Sequence, residues 1–385
     1  MKIKGVSGKI IFNSRNEKTI LVSVSTSAGT FSASSPSGKS TGKYEAKPYK
    51  KDIEHDIKTL SQFSEYFDGE FVESFNDLRR VEDTIRSHVG ANTLFALESA
   101  ALKALAKERK KEIWQLVNDK SGKKFPRLVG NCIGGGKHSD SGKKPDFQEF
   151  LLIPNLKSVK KSQELNEKAT EELKRILKFK DKNFKEKRND ENAWKTSLNE
   201  KEIFDILKNL KIPLGTDIAS STFYKRKKYN YENPMLKRTD DEEFDYISNL
   251  IKNFNLFYIE DPFHEDDFES FAKLLKKFPD SLIVGDDLIV TNVKRLKKAI
   301  EMKSINAIIV KPNQTGSLIE VKEVCELAKK NGIKLVFSHR SGETEESILA
   351  DLAFGFQADF LKCGIKGKER KAKINRLIEI QESLK

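Results

Sequence analysis

The sequence predicts an α/β protein in which an N-terminal α+β domain, residues 1–120, is followed by a (β/α)8 barrel, residues 121–385. Its 385 residues exceed the length of one average domain. In the second part, short apolar runs alternate with segments of helical periodicity, which is typical of βαβ units. Most of these runs end in an ionisable or polar residue, as expected where strands meet at the mouth of a barrel.

The N-terminal domain is predicted to begin with a β-hairpin. The runs GKIIF (8–12) and TILVSVST (19–26) have strand character and are joined by a polar turn. A Ser- and Gly-rich segment, residues 32–46, follows and is too polar for a core. We therefore predict a loop there, and residues 34–46, named the lid loop below, are a candidate mobile lid.

Helical periodicity begins after the lid loop. Residues 51–109 have a helical pattern, and residues 91–111 are predicted to form an amphipathic helix because their apolar residues recur every three or four positions. Residues 118–127, NDKSGKKFPR, are predicted to be a linker.

The remaining chain alternates between predicted strands and predicted helices. The apolar runs are residues 147–154, 211–220, 256–262, 282–287, 306–313, 334–339 and 359–364. Helical periodicity marks the intervening segments 241–254, 292–303 and 318–332. Buried strands alternating with helices indicate a mainly parallel sheet.

The polar residues that end these runs are candidate site residues, namely Asp217, Glu260, Asp286, Lys311, His339 and Lys362. In a barrel, all carboxyl-terminal strand ends open onto one mouth. A doubly wound sheet would bring only the loops at its switch point together. The series of polar ends therefore favours the barrel.

Three acids and two lysines in this series suggest a metal-assisted reaction. Asp217, Glu260 and Asp286 offer only oxygen ligands, which favour Mg²⁺ over Zn²⁺. Lys311 and Lys362 could lose a proton near neutral pH beside a metal and act as a base. The alternatives from the residues alone are that the acids cap helices or pair with lysines, and that the lysines lie on the surface.

The composition excludes several classes of protein. No apolar run reaches the roughly 18 residues that a membrane span needs. The first residues, MKIKGVSGKIIFNS, lack the features of a signal peptide, so we expect a cytoplasmic location. The three cysteines, Cys132, Cys325 and Cys363, lack CxxC spacing, which argues against a zinc site or a disulfide framework.

The net charge of +13 is compatible with an anionic partner. The lysines are nevertheless spread along the chain and mixed with 58 acidic residues, without a dense arginine stripe and interleaved aromatics. We interpret the charge as a lysine-rich solvated surface and expect neither a membrane nor a nucleic-acid partner. A phosphate-bearing substrate would be attracted to it. The GKST string in PSGKSTG (36–42) lacks the first glycine of a P-loop, which argues against a nucleoside triphosphatase.

From near residue 5 to near residue 380, the sequence resembles enolase. The motifs that carry the resemblance are PSGKSTGKYEA, GGGKH followed by QEF, TDIASSTFY, IEDPFHEDD, GDDLIVTN, VKPNQTGS and SHRSGET. The resemblance implies an enolase-type, TIM-like barrel and a lyase, phosphopyruvate hydratase. Such an enzyme interconverts 2-phosphoglycerate and phosphoenolpyruvate in glycolysis and gluconeogenesis through an enolate stabilised by Mg²⁺. A lysine base combined with Mg²⁺ is itself a known feature of the enolase superfamily.

The resemblance also implies a metal arrangement and an oligomer. Asp217, Glu260 and Asp286 would bind the first of two Mg²⁺ ions, and Ser40 in the lid loop would bind the second, which arrives with substrate. Family members are commonly homodimers or larger. Lys39 stands where the family usually has alanine, so a cation beside Ser40 is expected either to weaken that ion or to add a phosphate contact.

Catalytic roles follow from the same resemblance. Lys311 would remove the C2 proton, and Glu191 would be the general acid for the C3 hydroxyl. Lys362 would stabilise the enolate, while Arg340 and Ser341 would hold the phosphate. The other residues expected to line the site are His138, Gln148, Glu149 and His339.

Two alternatives remain open at this stage. The chain could be a non-catalytic paralogue that binds nucleic acid or a receptor recognising the C-terminal Lys385. It could also be a related lyase acting on another 2-hydroxy or phosphorylated acid. Intact Arg340, Ser341 and Glu191 favour 2-phosphoglycerate.

Overall fold

The computed structural model describes residues 1–39, 42–120, 122 and 124–385. Its N-terminal part begins with a three-stranded antiparallel sheet. Its strands, in spatial order, are β1 (Ile3–Phe12), β2 (Lys18–Thr26) and β3 (Gly29–Ser34). The predicted hairpin is confirmed. The prediction that the loop begins at residue 32 was wrong by three residues, because Ala33 pairs with Val22 and is buried against the core.

Four helices follow: α1 (Ile53–Phe67), α2 (Leu78–Ile85), α3 (Ala91–Arg109) and α4 (Ile113–Val117). The prediction that the third of these is amphipathic was wrong. Every residue from Ala91 to Ala106 except Lys103 is buried, because α3 packs against β2 and β3 and also against the barrel turn Pro312–Gln314. A helix enclosed on all sides has no polar face.

Within the described residues, eight strands close a barrel. A small separate sheet is inserted in the sequence between the third and fourth of these strands. The first three barrel strands are β4 (Arg127–Gly134), β5 (Glu149–Leu152) and β6 (Leu214–Asp217). A separate antiparallel sheet comprises β7 (Tyr224–Lys225), β8 (Lys228–Glu232) and β9 (Met235–Arg238). The remaining barrel strands are β10 (Tyr258–Glu260), β11 (Leu282–Gly285), β12 (Ala307–Val310), β13 (Lys334–Ser338) and β14 (Phe360–Lys362).

The barrel order is β10–β11–β12–β13–β14–β4–β5–β6, closed between β6 and β10. All neighbouring strands are parallel except β5, which is antiparallel to β4 and β6. The sequence-based list of strands missed β4, because Gly130, Asn131 and Gly134 interrupt its apolar run. Alternate residues of the strands, including Val284 and Ile309, fill the barrel interior.

Eight helices accompany the barrel: α5 (Val159–Lys180), α6 (Glu200–Leu207), α7 (Asp240–Phe254), α8 (Phe268–Lys277), α9 (Val293–Glu301), α10 (Leu318–Lys330), α11 (Ile348–Gly355) and α12 (Lys368–Ser383). The three segments predicted to be helical correspond to α7, α9 and α10. The predicted fold class is therefore confirmed. Within the described ranges, no helix combines the length and apolarity needed to cross a bilayer.

Candidate active site

Three carboxylates meet at the carboxyl ends of adjacent barrel strands. Asp217 ends β6, Glu260 ends β10 and Asp286 directly follows β11. Because Asp217 and Glu260 are register partners on neighbouring strands, their side chains leave the sheet at the same level. One oxygen from each of the three acids lies within 4.8 Å of the others, and all three residues are buried.

This cluster fits a magnesium ion in its donor chemistry. All three donors are carboxylate oxygens, the ligand type that hard divalent cations prefer. Oδ1 of Asp286 is buried and has no hydrogen-bond partner in the described part of the chain, so it is available as a ligand. Asp217, Glu260 and Asp286 could therefore hold the ion.

Lys362 neutralises much of the charge of this cluster. Its Nζ donates to Oδ2 of Asp217 at 2.9 Å and to Oε1 of Glu260 at 2.8 Å, and it lies 3.4 Å from Oε2 of Glu149. Burial by itself would lower the pKa of Lys362, but the surrounding carboxylates raise that pKa well above its usual value. Its ammonium group is therefore charged at neutral pH.

Lys311 follows β12 and donates from Nζ to Oδ2 of Asp286. Burial is the largest single influence and favours its neutral form, yet the Asp286 carboxylate together with other acids, Glu260 among them, raises the pKa of Lys311 above its usual value. Lys311 can accept a proton from a substrate only when the charge of Asp286 is offset by another cation.

Glu191 lies in a tight turn after α5 rather than at a strand end. Its Oε2 accepts a hydrogen bond from Nδ2 of Asn131 at 3.0 Å. Its Oε1 lies 3.6 Å from Nδ1 of His138 and 3.7 Å from Nε2 of His339. Burial lowers the pKa of both imidazoles, so the histidines are neutral at pH 7 and can act as hydrogen-bonding groups.

The carboxyl group of Glu149 lies beside that of Glu191 in the cavity. Both residues and His138 offer ligand atoms within 4.8 Å of one another. Burial and then the Glu191 carboxylate raise the pKa of Glu149 well above its usual value. At neutral pH the proton of this pair therefore lies on Glu149, whereas the pKa of Glu191 is lowered despite its burial by the basic and hydrogen-bonding groups around it, His138 first. This pair can deliver a proton to a leaving group.

Arg340 and Ser341 lie where the lid loop crosses the mouth. The Nη2 atom of Arg340 donates to both oxygens of Glu45, at 3.2 and 3.0 Å, so this guanidinium already binds an oxyanion at the mouth of the site. Oγ of Ser341 accepts hydrogen bonds from the backbone N–H of Lys39 at 2.8 Å and from Nη1 of Arg15 at 3.1 Å.

A single cavity is lined by nearly all of the predicted site residues. The members found in its wall are His138, Gln148, Glu149, Glu191, Asp217, Asp286, Lys311, His339, Arg340, Ser341 and Lys362. Glu260 contacts the group through Lys362, and Ser40 lies outside the described residues. The free space is about 40 Å³, enough for only a few water molecules. Groups in the cavity wall must therefore rearrange before a three-carbon phosphoester can bind.

Sequence reasoning missed several residues that position this site. The carboxylate of Asp261 accepts the backbone N–H groups of Asp286, at 2.9 Å, and Asp287, at 2.7 Å, and so orients the loop after β11. Its place beside Glu260 in IEDP was an available signal. Asn131 was missed together with β4, and nothing local indicates that it contacts Glu191.

Two departures from the family pattern have visible structural outcomes. The family's usual DEGG motif reads DENA here, from Asp190 to Ala193. Asn192, in place of the first glycine, adopts φ 63°, a left-handed conformation that asparagine tolerates better than most residues. Lys39 does not stand free in the lid loop, since its Nζ lies 3.0 Å from Oδ2 of Asp190.

Comparison with known proteins agrees with this geometry. Family models described as "Enolase, N-terminal domain" and "Enolase, C-terminal TIM barrel domain" match residues 3–117 and 123–385. The chain is 35% identical to an enolase of Archaeoglobus fulgidus over 99% of this chain and 98% of that protein. It is 38% identical to an enolase of Pyrobaculum aerophilum over 80% and 76%, and 36% identical to one of Sulfurisphaera tokodaii over 99% and 95%. The chain belongs to the enolase family.

Proposed function

We propose that this chain catalyses the reversible dehydration of 2-phosphoglycerate to phosphoenolpyruvate, with Lys311 as the base and Glu191 as the acid. Membership of the enolase family makes it a hydro-lyase. The observation that carries the residue assignment is that Lys311 and the Glu149–Glu191 pair line one buried cavity, together with the acids that could hold a cation.

In the proposed reaction, Nζ of Lys311 takes the C2 proton, and the electron pair of that C–H bond moves into the substrate carboxylate. The C3 hydroxyl then leaves as water with a proton from the Glu149–Glu191 pair, and the C2–C3 double bond forms. Bound Mg²⁺ would supply positive charge that offsets both the developing charge on the substrate carboxylate and the Asp286 charge that keeps Lys311 protonated.

The remaining polar groups hold the anionic substrate. Lys362 adds a fixed positive charge in a buried setting, where electrostatic stabilisation is stronger than in water. Arg340 and Ser341 bind the phosphate, for which the contact of Arg340 with both carboxylate oxygens of Glu45 is a precedent within the molecule.

Two Mg²⁺ ions per site are part of this proposal. Asp217, Glu260 and Asp286 would hold the first, and Ser40, which lies outside the described residues, would bind the second together with the substrate. The placement of Gly38 and Lys39 in the cavity wall supports a ligand from this stretch of the lid loop.

The reaction can be tested by following the ultraviolet absorbance of phosphoenolpyruvate after adding 2-phosphoglycerate and Mg²⁺, and EDTA should abolish the signal. We expect Lys311→Ala and Glu191→Gln each to lower turnover by about 10²–10⁴-fold, the usual cost of losing a positioned base or acid. Lys18→Ala, which removes an exposed lysine paired with Glu54, is the control and should retain activity. No turnover at millimolar Mg²⁺ and neutral pH would instead support the binding-protein alternative, which no structural observation favours.

We further propose that the protein works in the cytoplasm as a homodimer or larger assembly, as is general in the family. Light scattering coupled to gel filtration measures the mass in solution, and a mass of one chain would contradict the assembly.

A further inference from the structure

The lid loop carries a cation, Lys39, at a position where the family usually has alanine. Its backbone N–H donates to Oγ of Ser341, and its side-chain Nζ pairs with Oδ2 of Asp190 at 3.0 Å. Lys39 and Asp190 are separated by 151 residues in the chain. Lys39 therefore contacts both the loop that contains Ser341 and the turn that contains Glu191.

The contact of Lys39 with Asp190 can affect the position of Glu191, because Asp190 directly precedes Glu191 in the chain. Oδ1 of Asn189 accepts the backbone N–H groups of Glu191, at 3.0 Å, and Ala193, at 2.9 Å, which makes the turn a compact unit. Nε of Arg15 lies 3.8 Å from Oδ2 of Asp190 as a second cation. Arg15 belongs to the turn between β1 and β2, whereas Lys39 connects Asp190 to the lid loop.

The position of Lys39 makes this contact relevant to turnover. Gly38 and Lys39 belong to the wall of the cavity that also contains Glu191. The Lys39–Asp190 ion pair therefore holds the residue next to the acid against this wall.

We propose that Lys39 is a positioning residue whose ion pair with Asp190 holds the turn that carries Glu191 in place beside the cavity. The inference rests on the proposed function, since it gives Glu191 the role of general acid. It differs from a phosphate contact, in which Lys39 would act on the substrate directly and Asp190 would be irrelevant.

Hydrogen exchange at C2 of the substrate distinguishes a Lys39 that positions the acid from a Lys39 that binds the phosphate directly. Lys311 removes the C2 proton before the acid acts, so deuterium from D₂O enters 2-phosphoglycerate whenever the base returns a proton before the hydroxyl leaves. We expect Lys39→Ala to slow dehydration by up to about fivefold, the upper end of the range for a partly exposed ion pair, while C2 exchange continues. The ratio of exchange to dehydration should rise by the same factor with KM nearly unchanged.

Asp190→Asn should raise the ratio at least as much, since it also removes the longer contact with Arg15. The double variant should lose no more than Asp190→Asn alone, because the Lys39 contact is already absent there. Lys39→Arg keeps the pair and should restore the ratio. Lys43→Ala is the matched control, since Lys43 lies in the same loop and pairs with Asp266 at 3.7 Å, away from Glu191; its ratio should stay at the wild-type value.

A second readout needs no metal or substrate. In the metal-free protein, Lys39→Ala and Asp190→Asn should both speed backbone hydrogen exchange in peptides covering 30–39 and 186–193, whereas Lys43→Ala should leave the second peptide unchanged. A rise in KM and in the inhibition constant of inorganic phosphate for Lys39→Ala alone, with a normal ratio, would overturn the proposal. If Glu191→Gln retained dehydration, the proposed acid would be wrong whatever Lys39 does.

Discussion

At the scale of single residues, the site is a set of buried charges that stabilise one another. Lys362 donates to Asp217 and Glu260, and Lys311 donates to Asp286. An unpaired buried charge costs several kcal/mol, so these two ammonium groups act as counter-ions for the acids. Burial and the neighbouring Asp217 nevertheless raise the pKa of Glu260 to about 8, so a cation bound here would also displace a proton from that carboxyl group.

We predict that Asp286→Asn weakens Mg²⁺ binding by about tenfold or more, since even partners outside the ligand shell contribute 10–100-fold to metal affinity. Asp286 supplies the buried oxygen that lacks a hydrogen-bond partner within the described residues. Titration calorimetry with Mg²⁺ measures the effect, and Asp205→Asn, at an exposed acid on α6, is the control. Unchanged affinity would place the ion elsewhere, for example at His138, Glu149 and Glu191.

At the scale of elements, strand ends supply the acids and lysines, whereas a turn supplies Glu191. That turn packs against the end of β4, where a Cβ added at Gly134 would lie 2.0 Å from Nδ2 of Asn189. Asn189 is the residue whose side chain holds the turn together. The absence of a side chain at residue 134 therefore allows the acid to reach the cavity.

We predict that Gly134→Ala displaces this turn and lowers kcat, with a loss of stability of about 1–3 kcal/mol as for overpacked sites. Gly142→Ala is a matched control, since a Cβ there meets nothing within 4 Å. Thermal unfolding and steady-state kinetics of both variants measure the effects. Wild-type kcat and melting temperature in Gly134→Ala would show that the turn does not depend on this contact.

At the scale of the whole molecule, a second buried acidic group lies away from the active site, between α6, α7 and the β7–β9 sheet. Oε1 of Glu243 accepts a hydrogen bond from the hydroxyl of Tyr231 at 2.6 Å, and Glu200 accepts the backbone N–H of Asp146 at 2.6 Å. Burial raises the pKa of Glu243 to about 8 and that of Glu200 to about 7. Arg238, 3.9 Å from Glu243, offsets this only in part.

These carboxyl groups make stability depend on pH in a definite direction. Each pKa is higher in the folded than in the unfolded chain, so the folded state binds more protons between pH 4.5 and 8. The contribution to stability is fully present below the unfolded value and is lost as pH rises through the folded value. The protein should therefore be more stable near pH 5 than near pH 9 as far as this group is concerned.

We predict that Glu243→Gln reduces this dependence, by on the order of 2–4 kcal/mol between pH 5 and pH 9. Urea unfolding at the two pH values measures the free energy of unfolding. Glu269→Gln, at an exposed position in α8, is the control and should keep the wild-type dependence. An equally steep dependence in Glu243→Gln would show that Glu243 is ionised in the folded protein.

The sequence by itself determined the fold class and most members of the site. An apolar run followed by an acid is a local pattern, and in a barrel the chain geometry brings all such ends together. Asp217, Glu260 and Asp286 could therefore be grouped from one sequence. The enolase motifs added Glu191, Arg340 and Ser341, while their roles and the domain boundary near residue 120 stay predictions.

Only the tertiary structure decided which residues contact one another and what protonation that contact imposes. Lys362 and Asp217 are 145 residues apart, and Lys39 and Asp190 are 151 apart, so no local pattern connects them. The enclosure of α3 on all sides likewise depends on elements at both ends of the chain. Strand and helix patterns arise from neighbouring residues, whereas burial and charge pairing are set by distances in the folded molecule.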